Sequence, residues 1–220
     1  MTASPSLHVF DDPEEVARRA ADLVAEAVRE GARTVVLAGG STPRRTYQLL
    51  ATKPLPWGRV TVLFGDERCV PPDHPESNYL MAKHELLDHV HPGSLHRIPG
   101  ELGAGPAAAR YDAIVRDLSP LDLVLLGMGP DGHTASLFPE HAALLASGYA
   151  VAVHNAPKPP AERVSLTLGA LREARQVVFL VTGEDKAEAL ARARRGEVPA
   201  GMIPGARYLV DRSTVGRPDR

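Results

Sequence analysis

Asp131 and His133 stand two residues apart where the apolar run Leu123–Leu126 breaks into a turn with glycines at 127, 129 and 132. An imidazole titrates near neutrality and can move protons, while a carboxylate beside it can orient the ring or balance its charge. A second stretch, Gly39-Gly40-Ser41-Thr42-Pro43, follows the apolar run Thr34–Ala38. Strand, glycine turn and helix is a geometry in which free backbone N–H groups hold an anion, most often phosphate, although a plain turn capped by Ser or Thr reads the same way. A third, Gly65-Asp66-Glu67-Arg68, closes the run Val60–Phe64, and its place at a strand end argues against a merely solvated loop. A fourth, Thr182-Gly183-Glu184-Asp185-Lys186, follows Gln176–Val181. Lys186 near a helix start opposes the helix dipole unless an anion lies close, and only four of the 25 basic residues are lysines. An anion cradle with two cations beside an acid–imidazole pair suits proton-transfer or hydrolytic chemistry on a small phosphorylated substrate, without specifying which.

The elements that must position these groups follow from periodicity. Leu7–Phe10 alternates as a short strand. Asp12-Pro13-Glu14-Glu15 then opens a helix with an apolar stripe of Val16, Ala20, Leu23, Val24, Ala27 and Val28, ending at Gly31. Helices are also expected from Pro43 through Leu50, over Tyr79–Leu87 behind a Ser77-Asn78 cap, over Ala107–Leu118, and to Arg195 from an opening at Thr182–Lys186. Further strands are expected at Leu95–Ile98, Tyr149–His154 and Val164–Leu168, with Tyr208–Val210 as a last edge strand and a loose tail over 212–220. Strands alternating with helices predict an α/β fold: a doubly wound, mostly parallel Rossmann-like sheet with helices on both faces. The β-rich patch at 149–168 predicts a small antiparallel excursion. Ligands bind such sheets at the carboxyl ends of the strands, where all four stretches lie.

Composition bounds the class. At 220 residues and 44% hydrophobic, the chain fits one domain, residues 1–220, with a sizeable core. A net charge of −2 with mixed signs offers no footprint for nucleic acid. One cysteine, Cys69, excludes an internal disulfide framework and fits a reducing compartment. No run reaches the roughly 18 apolar residues of a membrane span, and Met1–Ser6 lacks signal-peptide features, so a cytoplasmic protein without a membrane partner is expected. His74, His84, His89, His91 and His96 show no metal-ligand spacing, and no metal is expected. Nothing in the pattern demands assembly, and a monomer or weak homo-oligomer is expected.

In order and approximate spacing, Gly39–Pro43, Gly65–Arg68 followed by Ser77-Asn78-Tyr79, Gly127–Pro139 and Gly183–Lys186 resemble the 6-phosphogluconolactonase family over nearly the whole chain. The resemblance implies hydrolysis of 6-phospho-D-glucono-1,5-lactone to 6-phosphogluconate in the oxidative pentose phosphate pathway, with no metal or organic cofactor. It implies His133 as general base, Asp131 as its orienting or charge-balancing partner, and Arg68 and Lys186 on the substrate phosphate. Gly39, Gly40, Ser41, Thr42 and Asp66 would line the substrate site, and Arg163 would touch substrate.

Other readings remain at this point. The related glucosamine-6-phosphate deaminase and isomerase family shares the Gly-Gly-Ser-Thr-Pro turn and Asp-Gly-His, but carries an acid where Phe138 stands. A sugar-phosphate sensor could keep the cradle without turnover. Gly127-x-Gly129-x-x-Gly132 also fits a dinucleotide fingerprint, though without an acid at the end of the next strand. Ser41 or Ser136 lacks a Gly-x-Ser-x-Gly elbow, and Cys69 beside Arg68 is a further candidate nucleophile.

Overall fold

The computed structural model describes residues 5–215. In chain order the elements are β1 (Ser6–Phe10), α1 (Pro13–Arg29), β2 (Thr34–Leu37), α2 (Ser41–Ala51), β3 (Thr61–Phe64), β4 (Asp66–Arg68), α3 (Asn78–Ala82), β5 (Ser94–Leu95), α4 (Ala104–Leu118), β6 (Leu123–Leu126), β7 (Ala150–Val153), β8 (Arg163–Leu166), α5 (Leu168–Glu173), β9 (Gln176–Val181), α6 (Ala187–Arg194) and β10 (Arg207–Asp211). Seven strands form an all-parallel sheet in the order β1-β10-β9-β6-β2-β3-β5. The expected antiparallel excursion is a separate sheet, β4-β8-β7.

Local chemistry accounts for the elements. At the start of α1, the Asp12 carboxylate accepts from Glu15 N (2.8 Å), Pro13 fills a position that needs no N–H, and Glu15 reaches back to Asp11 N (3.0 Å). The helix buries Val16, Ala20, Leu23 and Val24 completely or nearly so. β2, β3 and β6 read as unbroken aliphatic runs because both faces of a parallel sheet are covered. Right-handed crossovers fix the layers: the chain steps toward β5 through α1 and α2 and back toward β1 through α4, α5 and α6, so the two groups lie on opposite faces. The direction reverses between neighbours β2 and β6, and there the sheet opens a crevice at its carboxyl edge.

Several expectations are corrected. β10 is not an edge strand: it lies between β1 and β9, its Tyr208 ring stacked on Phe179 (4.7 Å, 6° between planes), and the edges are β1 and β5. Its aliphatic run is too short to reveal two partners. Asp66–Arg68 is neither loop nor strand terminus but an edge strand of the small sheet, antiparallel to β8. The helix expected over Tyr79–Leu87 changes after Ala82 into a π-helical turn, Lys83–Leu87. At the end of β10, Arg212–Val215 forms a 3-10 turn with Thr214 buried, and the remainder of the expected loose tail, 216–220, lies outside the described residues.

Candidate active site

Two buried tyrosines set the edge of the crevice. Tyr47 of α2 donates its hydroxyl to the Ala38 carbonyl (2.8 Å) and accepts from the Ala38 N–H (2.7 Å) just past β2. Tyr111 of α4 does the same with Phe64 at the end of β3 (2.8 Å each). Each phenol satisfies backbone groups where the ladder stops, so the loops beyond can turn away without orphaned polar atoms. Sequence periodicity presents both tyrosines only as apolar-stripe members.

The turn after β6 is braced within itself. Gly129 N donates to His133 O (2.9 Å), Gly132 N to Gly129 O (2.9 Å), and Thr134 Oγ1 to Gly127 O (3.0 Å). A Cβ on Gly129 would lie 2.1 Å from the imidazole Nδ1 and 2.6 Å from Asp131 Oδ1, so glycine makes the room the pair occupies. The dinucleotide reading fails here: the fingerprint needs a helix after the glycines, whereas this chain makes a Thr134–Leu137 bridge and then a 3-10 turn at Ala142–Leu145.

His133 Nδ1 lies 2.5 Å from Asp131 Oδ1. An ionised carboxylate only accepts, so Nδ1 carries the proton and Nε2 the lone pair. Burial depresses the His133 pKa, against the upward pull of Asp131, and the net result is below the usual 6.5. Phe138, whose ring stands 4.6 Å from the imidazole, supplies part of that apolar cover. Asp131 is pushed up by burial, but the hydrogen bond and charge of His133 outweigh this and hold it below its ordinary range. The imidazole is thus neutral at pH 7, with its tautomer fixed for accepting a proton at Nε2.

One cleft of about 280 Å³ collects the other groups. Gly39, Gly40, Ser41, Thr42, Asp66, Arg68, His133, Arg163 and Lys186 all line it, and Asp131 stands behind His133. α2 starts at Gly40 (φ +113°) with no side chain capping its first N–H groups, unlike the Ser or Thr cap a plain turn would use. Arg68 donates from Nη1 to Glu76 O (2.5 Å), while its buried Nε has no partner. Lys186 is mostly buried and pairs with Asp185 (2.6 Å), so its charge at the helix start is only partly offset. Asp66, buried, accepts from Ser136 Oγ (2.6 Å) and Asn78 Nδ2 (3.1 Å). Its neighbour Glu67 points the other way and takes four hydrogen bonds, from the N–H groups of Arg68, Asn78 and Tyr79 and from Ser77 Oγ, folding the Pro-rich loop back onto β4.

Arg163 reaches the cleft wall, but most of its guanidinium is committed. Nε donates to Pro160 O (2.9 Å) and Nη2 to the carbonyls of Lys158 (3.0 Å) and Pro159 (3.1 Å). Thr182, part of the fourth stretch but not singled out there as a site residue, also lines the cleft, its hydroxyl 2.8 Å from that of Thr42. Its place directly after β9 is the signal that could have found it. Two of the three alternative nucleophiles do not fit: Ser136 is buried on Asp66 rather than His133, and burial, with Glu162 and Glu67 nearby, pushes the Cys69 thiol up to about 11. Among the described residues no group of three His, Cys, Asp or Glu side chains converges as a metal-ligand set.

The sequence profile of the glucosamine-6-phosphate isomerases/6-phosphogluconolactonase family matches residues 11–214. The chain belongs to this family. Within it, a 6-phosphogluconolactonase of Nostoc sp. is 37% identical over 203 residues, covering 84% of this chain and 83% of the relative. One from Mycobacterium leprae is also 37% identical, over 92% and 91% of the two chains. The crystal structure of 6-phosphogluconolactonase from Thermotoga maritima superposes with a TM-score of 0.86 at 28% identity, covering 95% of this chain and all of that one. A monomeric glucosamine-6-phosphate deaminase, 22% identical with a TM-score of 0.84, shares the fold. Phe138, which the sequence sets apart from the deaminase pattern, is buried against His133.

Proposed function

We propose that this protein hydrolyses 6-phospho-D-glucono-1,5-lactone to 6-phosphogluconate, with His133 as general base. The observation that carries the reading is the Asp131–His133 pair, tautomer fixed and neutral, on the wall of a cleft that also holds Arg68, Arg163 and Lys186. In this mechanism Nε2 takes a proton from a water as its oxygen attacks the lactone carbonyl carbon. The carbonyl π electrons move onto oxygen, giving a tetrahedral oxyanion. The C–O bond to the ring oxygen then breaks, and the imidazolium returns its proton to the departing alkoxide, restoring neutral His133. Asp131 holds the ring and steadies the transient imidazolium. An alkoxide leaves an ester far more readily than an amine leaves an amide, so no protein nucleophile is required.

Arg68 and Lys186 bind the phosphate, assisted by the uncapped turn Gly39–Thr42 at the start of α2. Asp66 is a poor phosphate neighbour because like charges repel, and it serves instead to hold the wall through Ser136 and Asn78. Arg163 contributes only the face of its guanidinium left over from the loop carbonyls. The enzyme is proposed to act as a monomer or weak homo-oligomer. No helix among the described residues is long and apolar enough to cross a membrane. A cytoplasmic location is part of the proposal.

The test is disappearance of freshly generated lactone with and without purified protein, corrected for spontaneous hydrolysis. Acceleration is expected. A correctly folded protein that does not accelerate it, or that releases ammonia from glucosamine 6-phosphate instead, would overturn the reading.

A further inference from the structure

On the lactone-hydrolysis reading above, we propose that Lys158, clamped beside Asp131 by Arg163, is a positioning residue of the reaction: its ammonium shares one Asp131 oxygen with the imidazole and keeps His133 in its neutral, proton-accepting form. Asp131 Oδ1 accepts from His133 Nδ1 at 2.5 Å and lies 3.8 Å from Lys158 Nζ. A carboxylate oxygen serving both groups cannot give its full charge to either, so the ammonium reduces the stabilisation available to an imidazolium.

An exposed lysine on a mobile loop would not hold such a relation, but this loop is built. Pro157, Pro159 and Pro160 restrict its backbone, and Ala156 N donates to Ala161 O (2.9 Å) to close it. His154 Nδ1 and Glu162 Oε2 meet at its base (2.6 Å). Arg163, only 5% exposed, spends Nε and Nη2 on three consecutive carbonyls, including that of Lys158 itself. Burying a guanidinium is costly, and a planar fork matched to loop carbonyls is what compensates it. The clamp thus fixes the backbone from which Lys158 reaches Asp131.

Of the charged groups around His133, Asp131 on its own turn, Asp66 on β4 and Lys158 on this loop bear on it most, while Arg68, Arg163 and Lys186 stand elsewhere on the same cleft wall. Asp131 and Asp66 favour the protonated ring; burial, foremost, and Lys158 favour the neutral one. Removing Lys158 removes the cation that shares the Asp131 oxygen with the imidazole, so His133 must protonate at higher pH.

The experiment follows the His133 Cε1–H resonance by NMR titration, assigned by its absence in His133→Gln, in wild type, Lys158→Met and Lys158→Arg. Lactonase pH profiles are recorded on wild type and both Lys158 variants. Lys158→Met is expected to raise the His133 midpoint by about half a pH unit and to move the acid limb of kcat upward equally. Lys158→Arg should titrate as wild type. Because Lys158 is partly exposed, roughly 0.5 M salt should shrink the difference. Equal midpoints in wild type and Lys158→Met, or a fallen plateau with no midpoint shift, would overturn the proposal. A wild type without lactonase activity would contradict the hydrolysis reading instead, while the NMR midpoints would still decide whether Lys158 governs the ring.

Discussion

At the scale of single residues, the cleft separates two jobs between two kinds of group. In the proposed mechanism Arg68 and Lys186 hold the phosphate in ground state and transition state alike, so their loss should weaken binding more than turnover. Arg68→Ala and Lys186→Ala are each expected to raise KM for the lactone about 10- to 100-fold with kcat changed only a few-fold, on the order of 1.5–3 kcal/mol for a charge-assisted hydrogen bond. Steady-state kinetics checks this, and a fall in kcat at constant KM would reassign them. His133 has the opposite profile. Its pKa lies below 6.5, so the basic form persists as pH falls past the ordinary histidine range and is lost only through the lower folded-state value. The sequence exposed these residues because Asp-x-His, Gly-Gly-Ser-Thr and a scarce lysine are visible as types and spacings. It hid the commitment of Arg163 to the carbonyls of Lys158, Pro159 and Pro160, since a side chain's partners depend on how a loop folds back.

At the scale of elements, the turn after β6 and the ends of β2 and β3 decide whether those residues meet. Gly129 lies outside the left-handed region, so alanine is tolerable to its backbone, and the clash falls on the imidazole and on Asp131. Gly129→Ala is expected to keep a near-wild-type melting temperature and lose about 100-fold in kcat through displacement of the pair. Equal activity would show that the pair tolerates another arrangement. Tyr47→Phe makes the complementary case. It strips the hydroxyl that serves both backbone groups of Ala38, and should cost about 1–3 kcal/mol in denaturant unfolding with the site chemistry intact. The strands and main helices were legible because hydrophobic period is local. The π-helical turn at Lys83–Leu87 and the pairing of Asp66–Arg68 with β8 were not: nothing in three charged residues announces an antiparallel partner nearly a hundred positions away.

At the scale of the molecule, the seven-stranded sheet brings four separate strand ends to one crevice, and the small sheet closes its side with Asp66, Arg68 and Arg163. The parallel α/β class could be read from alternation alone. Strand order could not, which is why Tyr208–Val210 looked like an edge while the structure packs it between β1 and β9. Reversal of winding between β2 and β6 puts the Gly39–Thr42 turn and the imidazole on the wall of one opening of about 280 Å³, where the proposed substrate would touch both. The most direct measurement is the lactone hydrolysis rate of wild type beside His133→Gln, both shown to be folded. The expected result is a kcat loss of about 100- to 10,000-fold, the range of general-base catalysis, with KM within a few-fold. A His133→Gln enzyme that turns over within a few-fold of wild type would contradict the assignment of the base and the mechanism built on it.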